Sequence, residues 1–172
     1  MNTVCAPLYS PAEPWSGRDD GPGTEHARWH SVIRGEVATG AVALIGYASD
    51  EGVERNGGRV GAAEGPTALR RALADLAIHD EHPRVDAGTV TTQGADLEGS
   101  QRELSKRVRD LAAAGTLVVV LGGGHETSFA THRGVREARG EMSIINLDAH
   151  FDLRDSDRPT SGTPFAQIAQ LC

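Results

Sequence analysis

Thr116-Leu117-Val118-Val119-Val120-Leu121-Gly122-Gly123-Gly124-His125 is the stretch on which the fold turns. From Leu117 to Leu121 every position is apolar, and three of the five residues are β-branched. A run of this kind is too short for an ordinary helix and reads as a strand buried on both faces. The three glycines that follow let the chain turn sharply and let its backbone approach other groups closely. A histidine is therefore delivered at the carboxyl end of a buried strand.

Upstream, Ser100-Gln101-Arg102-Glu103 has the form of a capping box, and Leu104, Val108, Leu111 and Ala112 form the apolar stripe of a helix ending at Gly115. Downstream, Glu126 to Arg139 predicts a helix stopped by Gly140, followed by an apolar strand from Met142 to Leu147. Further back, Ala41 to Tyr47 is another uniformly apolar strand and Val85 to Val90 a weaker one. Between these two, Gly65-Pro66 opens a helix with Leu69, Ala72, Leu73 and Leu76 at helical spacing. The resulting order, β-α-β-α-β-α-β, favours a parallel sheet with helices on its faces and ligands at the carboxyl ends of its strands. Residues 1–40, with Pro7, Pro11, Pro14 and Pro22, read as an N-terminal arm with one short helix near Glu25 to Arg34. Residues 41–172 read as part of a single α/β domain, and Phe165 to Ala169 opens a further helix.

The chain has 172 residues, and 17 Lys and Arg against 24 Asp and Glu leave a net charge of −7 with no basic tract. Nucleic acid is excluded as a natural partner on that balance. No apolar run spans a bilayer and no leader sequence opens the chain, so a cytoplasmic protein is expected. Cys5 and Cys172 stand at opposite ends of the chain and are read as free thiols.

The chemistry concentrates at two strand ends. His125 closes the glycine turn, and Asn146-Leu147-Asp148-Ala149-His150-Phe151-Asp152 ends the next expected strand. In an extended segment Asp148, His150 and Asp152 share one face, and His125 at the neighbouring strand end completes a group of two carboxylates and two imidazoles. Each of these residues alone is more often a turn or cap residue. Together they suit an oxygen-preferring divalent ion such as Mn²⁺, and Asp148 has two oxygens with which to bridge a metal pair that activates water for hydrolysis. Gly122 to Gly124 lacks the spacing of a phosphate loop, and Phe129 replaces the second histidine of a zincin helix. Glu126 at a helix start is read as stabilising the helix dipole, and Trp15 and Arg18 as anchors of the arm.

The Gly-Gly-Gly-His run at 122–125 and Asp-Ala-His-Phe-Asp at 148–152 resemble two metal-binding signatures of the ureohydrolase family, which includes arginase and agmatinase. Further segments resemble its formimidoylglutamase branch: Trp15-Ser16-Gly17-Arg18, Arg28-Trp29-His30, Ser49 to Pro66, Asp152-Leu153-Arg154 and Ser161-Gly162-Thr163-Pro164-Phe165. The resemblance implies a three-layer α/β/α sandwich with a mainly parallel sheet. It implies two Mn²⁺ ions, with His125 and Asp152 on one, His150 on the other, Asp148 on both and a bridging hydroxide as nucleophile. The implied reaction is hydrolysis of N-formimidoyl-L-glutamate, an amidine, to L-glutamate and formamide in histidine degradation. The general acid is not identified.

Arg154 stands where arginases place an asparagine that holds the substrate carboxylate, and its fork suits a dicarboxylate. A surface arginine paired with Asp155 or Asp157 is the alternative. Ser161, Arg55, Asn56 and Arg59 are further candidate substrate contacts. Phe165 replaces the arginase proton-shuttle histidine. The family's later carboxylate motif does not appear before Cys172, so a C-terminally truncated chain of low activity is expected, with an apolar sheet edge prone to homo-oligomer formation. Agmatinase-like or guanidino-acid hydrolysis is the nearest alternative, and a non-catalytic remnant or interaction module is the alternative of another class.

Overall fold

The computed structural model describes residues 7–171; Cys5 and Cys172 lie outside them. The arm supplies β1 (Tyr9–Ser10), a 3₁₀ turn at Thr24–His26, α1 (Trp29–Val32) and β2 (Ile33–Arg34). The single helix expected near Glu25 to Arg34 is thus broken. Ile33 and Arg34 pair with a strand instead of continuing α1. The body follows as β3 (Val42–Ala48), α2 (Glu51–Arg55), α3 (Gly65–Ala74), β4 (Arg84–Thr91), α4 (Leu97–Ala113), β5 (Leu117–Leu121), α5 (Thr127–Arg139) and α6 (Pro164–Ala169).

The sheet runs β1-β4-β3-β5, with β2 beside the start of β4. β2, β3 and β5 pair in parallel, and among the described strands only β1 is antiparallel. Ala43, Ile45 and Tyr47 of β3 point to one face, where they pack in the core with Leu97, Leu104 and Val108 of α4. Gly46 points to the other face, where an added Cβ would lie 3.0 Å from Pro66 and 2.9 Å from the Arg70 guanidinium, so α3 packs close there. α5 lies against α4 through Ala130 and Gly134; a side chain at 134 would strike the Ser105 carbonyl. Helices thus cover both sides of a mostly parallel sheet, as in an α/β sandwich. Among the described residues no helix is long and apolar enough to cross a membrane.

Four expectations are corrected. α4 begins at Leu97 with Asp96 as its cap, whose carboxylate accepts the Gly99 N–H at 2.9 Å. Ser100 is buried inside the helix, and its hydroxyl meets Tyr47 Oη at 2.9 Å and Thr92 Oγ1 at 2.7 Å. An Asp whose oxygen reaches the first turn competes successfully with a serine that has core partners. On α3 the buried face is not the Leu69–Leu76 stripe. Leu69 and Leu76 are exposed, because Arg70 is tied to Asp86, Thr89 and the Gly88 carbonyl and turns Pro66 and Ala74 inward.

β5 is buried only in part: Leu117 and Val119 are exposed and Leu121 is buried. No strand forms over 142–147. That segment has no regular structure, and Ile145 and Leu147 are 87% and 94% exposed. A uniformly apolar strand is stabilised by cover on both faces. Among the described residues nothing covers the far edge of β5, so pairing there would leave half of the new strand in water.

Candidate metal centre

His125 is placed by close backbone packing at the carboxyl ends of β3 and β5. Gly123 passes so near the end of β3 that an added Cβ would lie 2.7 Å from the carbonyls of Tyr47 and Ser49. The Gly124 N–H donates to the Ser49 carbonyl at 3.1 Å. α5 then starts at once, with the Ser128 N–H on the His125 carbonyl at 3.0 Å. The three glycines therefore do what their freedom allows, since no side chain fits at 123.

Across from it, His125 Nδ1 lies 2.7 Å from Asp152 Oδ2 and 3.7 Å from Asp148 Oδ2. The three ligand-type atoms all lie within 4.8 Å of one another. Asp152 Oδ2 is buried and yet makes no hydrogen bond in good geometry, although the imidazole nitrogen is so near. Two polar atoms that converge without bonding each other are aimed at a shared point, as ligands of one cation are. The set of two carboxylates and an imidazole fits a divalent ion of the manganese type.

The route to this arrangement is not the expected one. The segment is not extended, and Asp152 adopts a φ of 48°, the left-handed region that Asp tolerates better than most residues. The alternation that would align Asp148, His150 and Asp152 is lost. Asp148 and Asp152 meet His125, whereas the His150 side chain is 80% exposed and stands outside the group of three. His150 is still tied to it. Its backbone N–H donates to Asp148 Oδ1 at 2.8 Å, and its Nδ1 lies 3.2 Å from the same oxygen. That backbone N–H, with the nearby imidazoles, holds the Asp148 carboxyl below the usual range against a smaller opposing effect of desolvation.

The candidate substrate residues separate into two groups. Arg154 and Asn56 meet at Gly162, where an added Cβ would lie 2.8 Å from Arg154 Cδ and 3.3 Å from Asn56 Oδ1. Among the described residues Arg154 makes no ion pair with Asp155 or Asp157, and Arg59 is exposed without a polar partner. The Ser161 N–H donates to the Gly52 carbonyl at 2.8 Å.

Arg55 is different, and its reading as a substrate contact is corrected. Its side chain is 8% exposed. Nε bonds Glu51 at 2.7 Å, Nη1 bonds Glu98 at 2.8 Å and the Pro159 carbonyl at 3.0 Å, and Nη2 bonds the Ala95 carbonyl at 2.7 Å and Glu98 at 3.1 Å. All five donors of the guanidinium are used, leaving none for a ligand. The i,i+4 spacing of Glu51 and Arg55 was the sequence signal for this inward pairing.

Glu126 also exceeds its expected part. It is fully buried, with its carboxylate against Gly52 and Gly124, where any side chain would collide with it. Neither oxygen has a hydrogen bond in good geometry. Burial raises its pKa. Its own N–H, the Ser49 hydroxyl and the Gly52 N–H lie near enough to oppose that rise without cancelling it. A Glu at a helix start is ordinarily solvated, so no local pattern announces this burial.

Residues 40–172 match the arginase family. The chain is 52% identical over 163 residues to formimidoylglutamase from Corynebacterium efficiens, a match that covers 91% of this chain and 51% of that one. Formimidoylglutamase from Chromobacterium violaceum is 50% identical, with 92% and 53% covered. Among solved structures, Trypanosoma cruzi formiminoglutamase with Mn²⁺ superposes with a TM-score of 0.73 at 33% identity, over 83% of this chain and 52% of that one. The Bacillus subtilis formimidoylglutamase shares the fold, with a TM-score of 0.72 at 23% identity, over 91% and 51%. The chain spans about half the length of the curated relatives it matches.

Proposed function

Because the chain belongs to the arginase family, we propose that it is the metal-holding portion of a manganese-dependent hydrolase of the formimidoylglutamase type. In this reading residues 1–40 are an arm and 41–172 the N-terminal part of a single arginase-like α/β domain. The reaction is hydrolysis of N-formimidoyl-L-glutamate to L-glutamate and formamide. The observation that carries the proposal is the convergence of His125 Nδ1 and Asp152 Oδ2 at 2.7 Å without a hydrogen bond, with Asp148 Oδ2 beside them.

His125, Asp148 and Asp152 would hold one Mn²⁺, and His150, whose Nδ1 lies beside Asp148 Oδ1, would serve a second. The bound metal supplies Lewis acidity and a water activated at neutral pH. Two such ions carry four positive charges against the two negative charges of Asp148 and Asp152, so this chain by itself favours one. Arg154, with Asn56 and Gly162 beside it, orients the substrate by its carboxylates through a bidentate fork. Arg59 and Ser161 are further candidate contacts of the substrate. An unpaired arginine next to the centre repels a cationic guanidine, which weighs against an agmatinase-like substrate. A cytoplasmic setting, a small amidine as partner, and self-association through the open edge of β5 belong to the same proposal.

The test is a manganese titration of the 172-residue chain followed by electron paramagnetic resonance, with glutamate release from N-formimidoyl-L-glutamate and urea release from agmatine assayed beside it. One ion per chain, lost on Asp148→Ala, is the expected result. A chain that takes up no Mn²⁺, or that releases urea faster than glutamate, overturns the proposal.

A further inference from the structure

The segment that carries Asp148 and Asp152 has little to hold it. Residues 141–153 have no helix or strand, and most of their surface is exposed. Among the described residues, the backbone hydrogen bonds that tie residues 142–158 to the rest of the chain involve Asp152 and Arg154. The Asp152 carbonyl accepts the Phe165 N–H at 3.2 Å, and the Arg154 N–H donates to the Gly162 carbonyl at 3.0 Å. Phe165 lies in the first turn of α6, and Gly162 lies in the turn Thr160–Thr163 just before it.

That turn is rigid. Thr160, Gly162, Thr163 and Pro164 are buried. The Thr160 N–H donates to Thr163 Oγ1 at 3.0 Å and the Gly162 N–H to Thr160 Oγ1 at 3.1 Å, so its polar groups are satisfied internally. It is docked on α2 by two bonds: the Ser161 N–H on the Gly52 carbonyl, and Arg55 Nη1 on the Pro159 carbonyl. Arg55 makes the second bond from a fixed position, because Glu51, Glu98 and the Ala95 carbonyl hold its other donors.

We propose that Arg55 is a positioning residue for the metal centre: by pinning the Pro159 carbonyl to α2 and α4 it fixes the Thr160–Thr163 turn and, through Phe165 and Gly162, the Asp152 carboxylate. The inference rests on the reading of His125, Asp148 and Asp152 as ligands. It assigns the rigidity of an exposed ligand-bearing segment to a buried guanidinium that touches neither metal nor substrate. Partners that hydrogen-bond a ligand directly cost about 10–100-fold in metal affinity when lost; Arg55 acts through the turn, so the lower end of that range is expected.

The experiment uses the full chain with Arg55→Ala, Arg55→Lys and, as a control, Arg70→Ala, which breaks an equally internal pair with Asp86 but has no partner in the turn. Two quantities are read: the Kd for Mn²⁺ alone and the amide hydrogen exchange of Arg154, Ser161 and Phe165. Arg55→Ala is expected to weaken Mn²⁺ by about tenfold or more and to speed exchange at all three amides. Arg55→Lys should recover part of both, and Arg70→Ala should lower thermal stability with Mn²⁺ affinity unchanged. Unchanged affinity and exchange in Arg55→Ala, or equal losses of affinity in Arg55→Ala and Arg70→Ala, would overturn the proposal. If Arg55→Ala does not fold, Glu98→Gln gives the same readouts through the loosened guanidinium. If the unaltered chain takes up no Mn²⁺, the functional reading has failed, and exchange alone then judges the brace.

Discussion

His125 and Asp152 lie side by side but are held in opposite ways. His125 sits on a turn with close packing on every side: Gly123 against the end of β3, Gly124 bonded to Ser49, Glu126 buried behind it and α5 starting directly after it. Asp152 sits on a stretch with no regular structure and is fixed by a few bonds to a neighbouring turn. The first ligand is a product of the core, so whatever unfolds the sheet removes it. The second is a product of a local brace and can be lost while the core remains.

The largest effect that separates the two regions is on stability. Leu104→Ala, in the fully buried core under α4, is expected to cost about 2–5 kcal/mol. The same change at Leu147, almost wholly exposed in the ligand-bearing segment, should stay within about 0.5 kcal/mol. Urea unfolding of the two variants checks this, and comparable losses would mean that the segment is part of the core.

Next comes metal affinity. Asp152→Asn removes a charged ligand atom that has no hydrogen bond to lose. Manganese binding should fall beyond the roughly 100-fold upper end for an outer partner, with little change in the unfolding midpoint. A parallel collapse of stability would make Asp152 a structural residue.

A smaller effect belongs to the framework. Asp96→Ala deletes the cap of α4 and is expected to cost about 1 kcal/mol, read from the urea midpoint; because Glu98 in the same turn holds Arg55, Mn²⁺ should weaken, but by less than in Arg55→Ala. A loss of affinity equal to or larger than that of Arg55→Ala would show that α4 acts on the site by another route than Arg55.

The smallest effect depends on pH. Burial raises the Glu126 pKa in the folded chain above its value of about 4.3 in the unfolded one. The folded state then binds that proton more tightly, so the stability it contributes is full below the unfolded pKa and is lost as pH rises through the folded value. Glu126→Gln keeps the shape and stays neutral. Its thermal midpoint should match that of the unaltered chain near pH 4 and exceed it increasingly toward neutral pH. A difference that does not vary with pH would sink this account.

Much of this was open to reading in the chain itself. Uniformly apolar runs at 41–47 and 117–121, the glycine stops at 115 and 140, and the Gly-Gly-Gly-His turn are local patterns, and local sterics and hydrophobic periodicity act on them directly. They determine a mostly parallel α/β framework with His125 at the carboxyl end of a strand. The nearness of Asp148 and Asp152 to His125 was legible too, from motif position. What placed them was the left-handed turn at Asp152, not the alternation of a strand.

Only the tertiary structure decided the rest, because in each case the answer lay with a distant partner. Ser100 gave up the cap to Asp96 because Tyr47 and Thr92 take its hydroxyl. Leu69 and Leu76 face water because Asp86 holds Arg70. Residues 142–147 form no strand because among the described residues nothing covers the far side of β5. Arg55 reads in the sequence as a candidate substrate contact. It became a brace only when Glu51, Glu98, the Ala95 carbonyl and the Pro159 carbonyl, up to 104 positions away in the chain, closed around its five donors. Burial and hydrogen-bond saturation are properties of neighbours in space, and no local pattern encodes them.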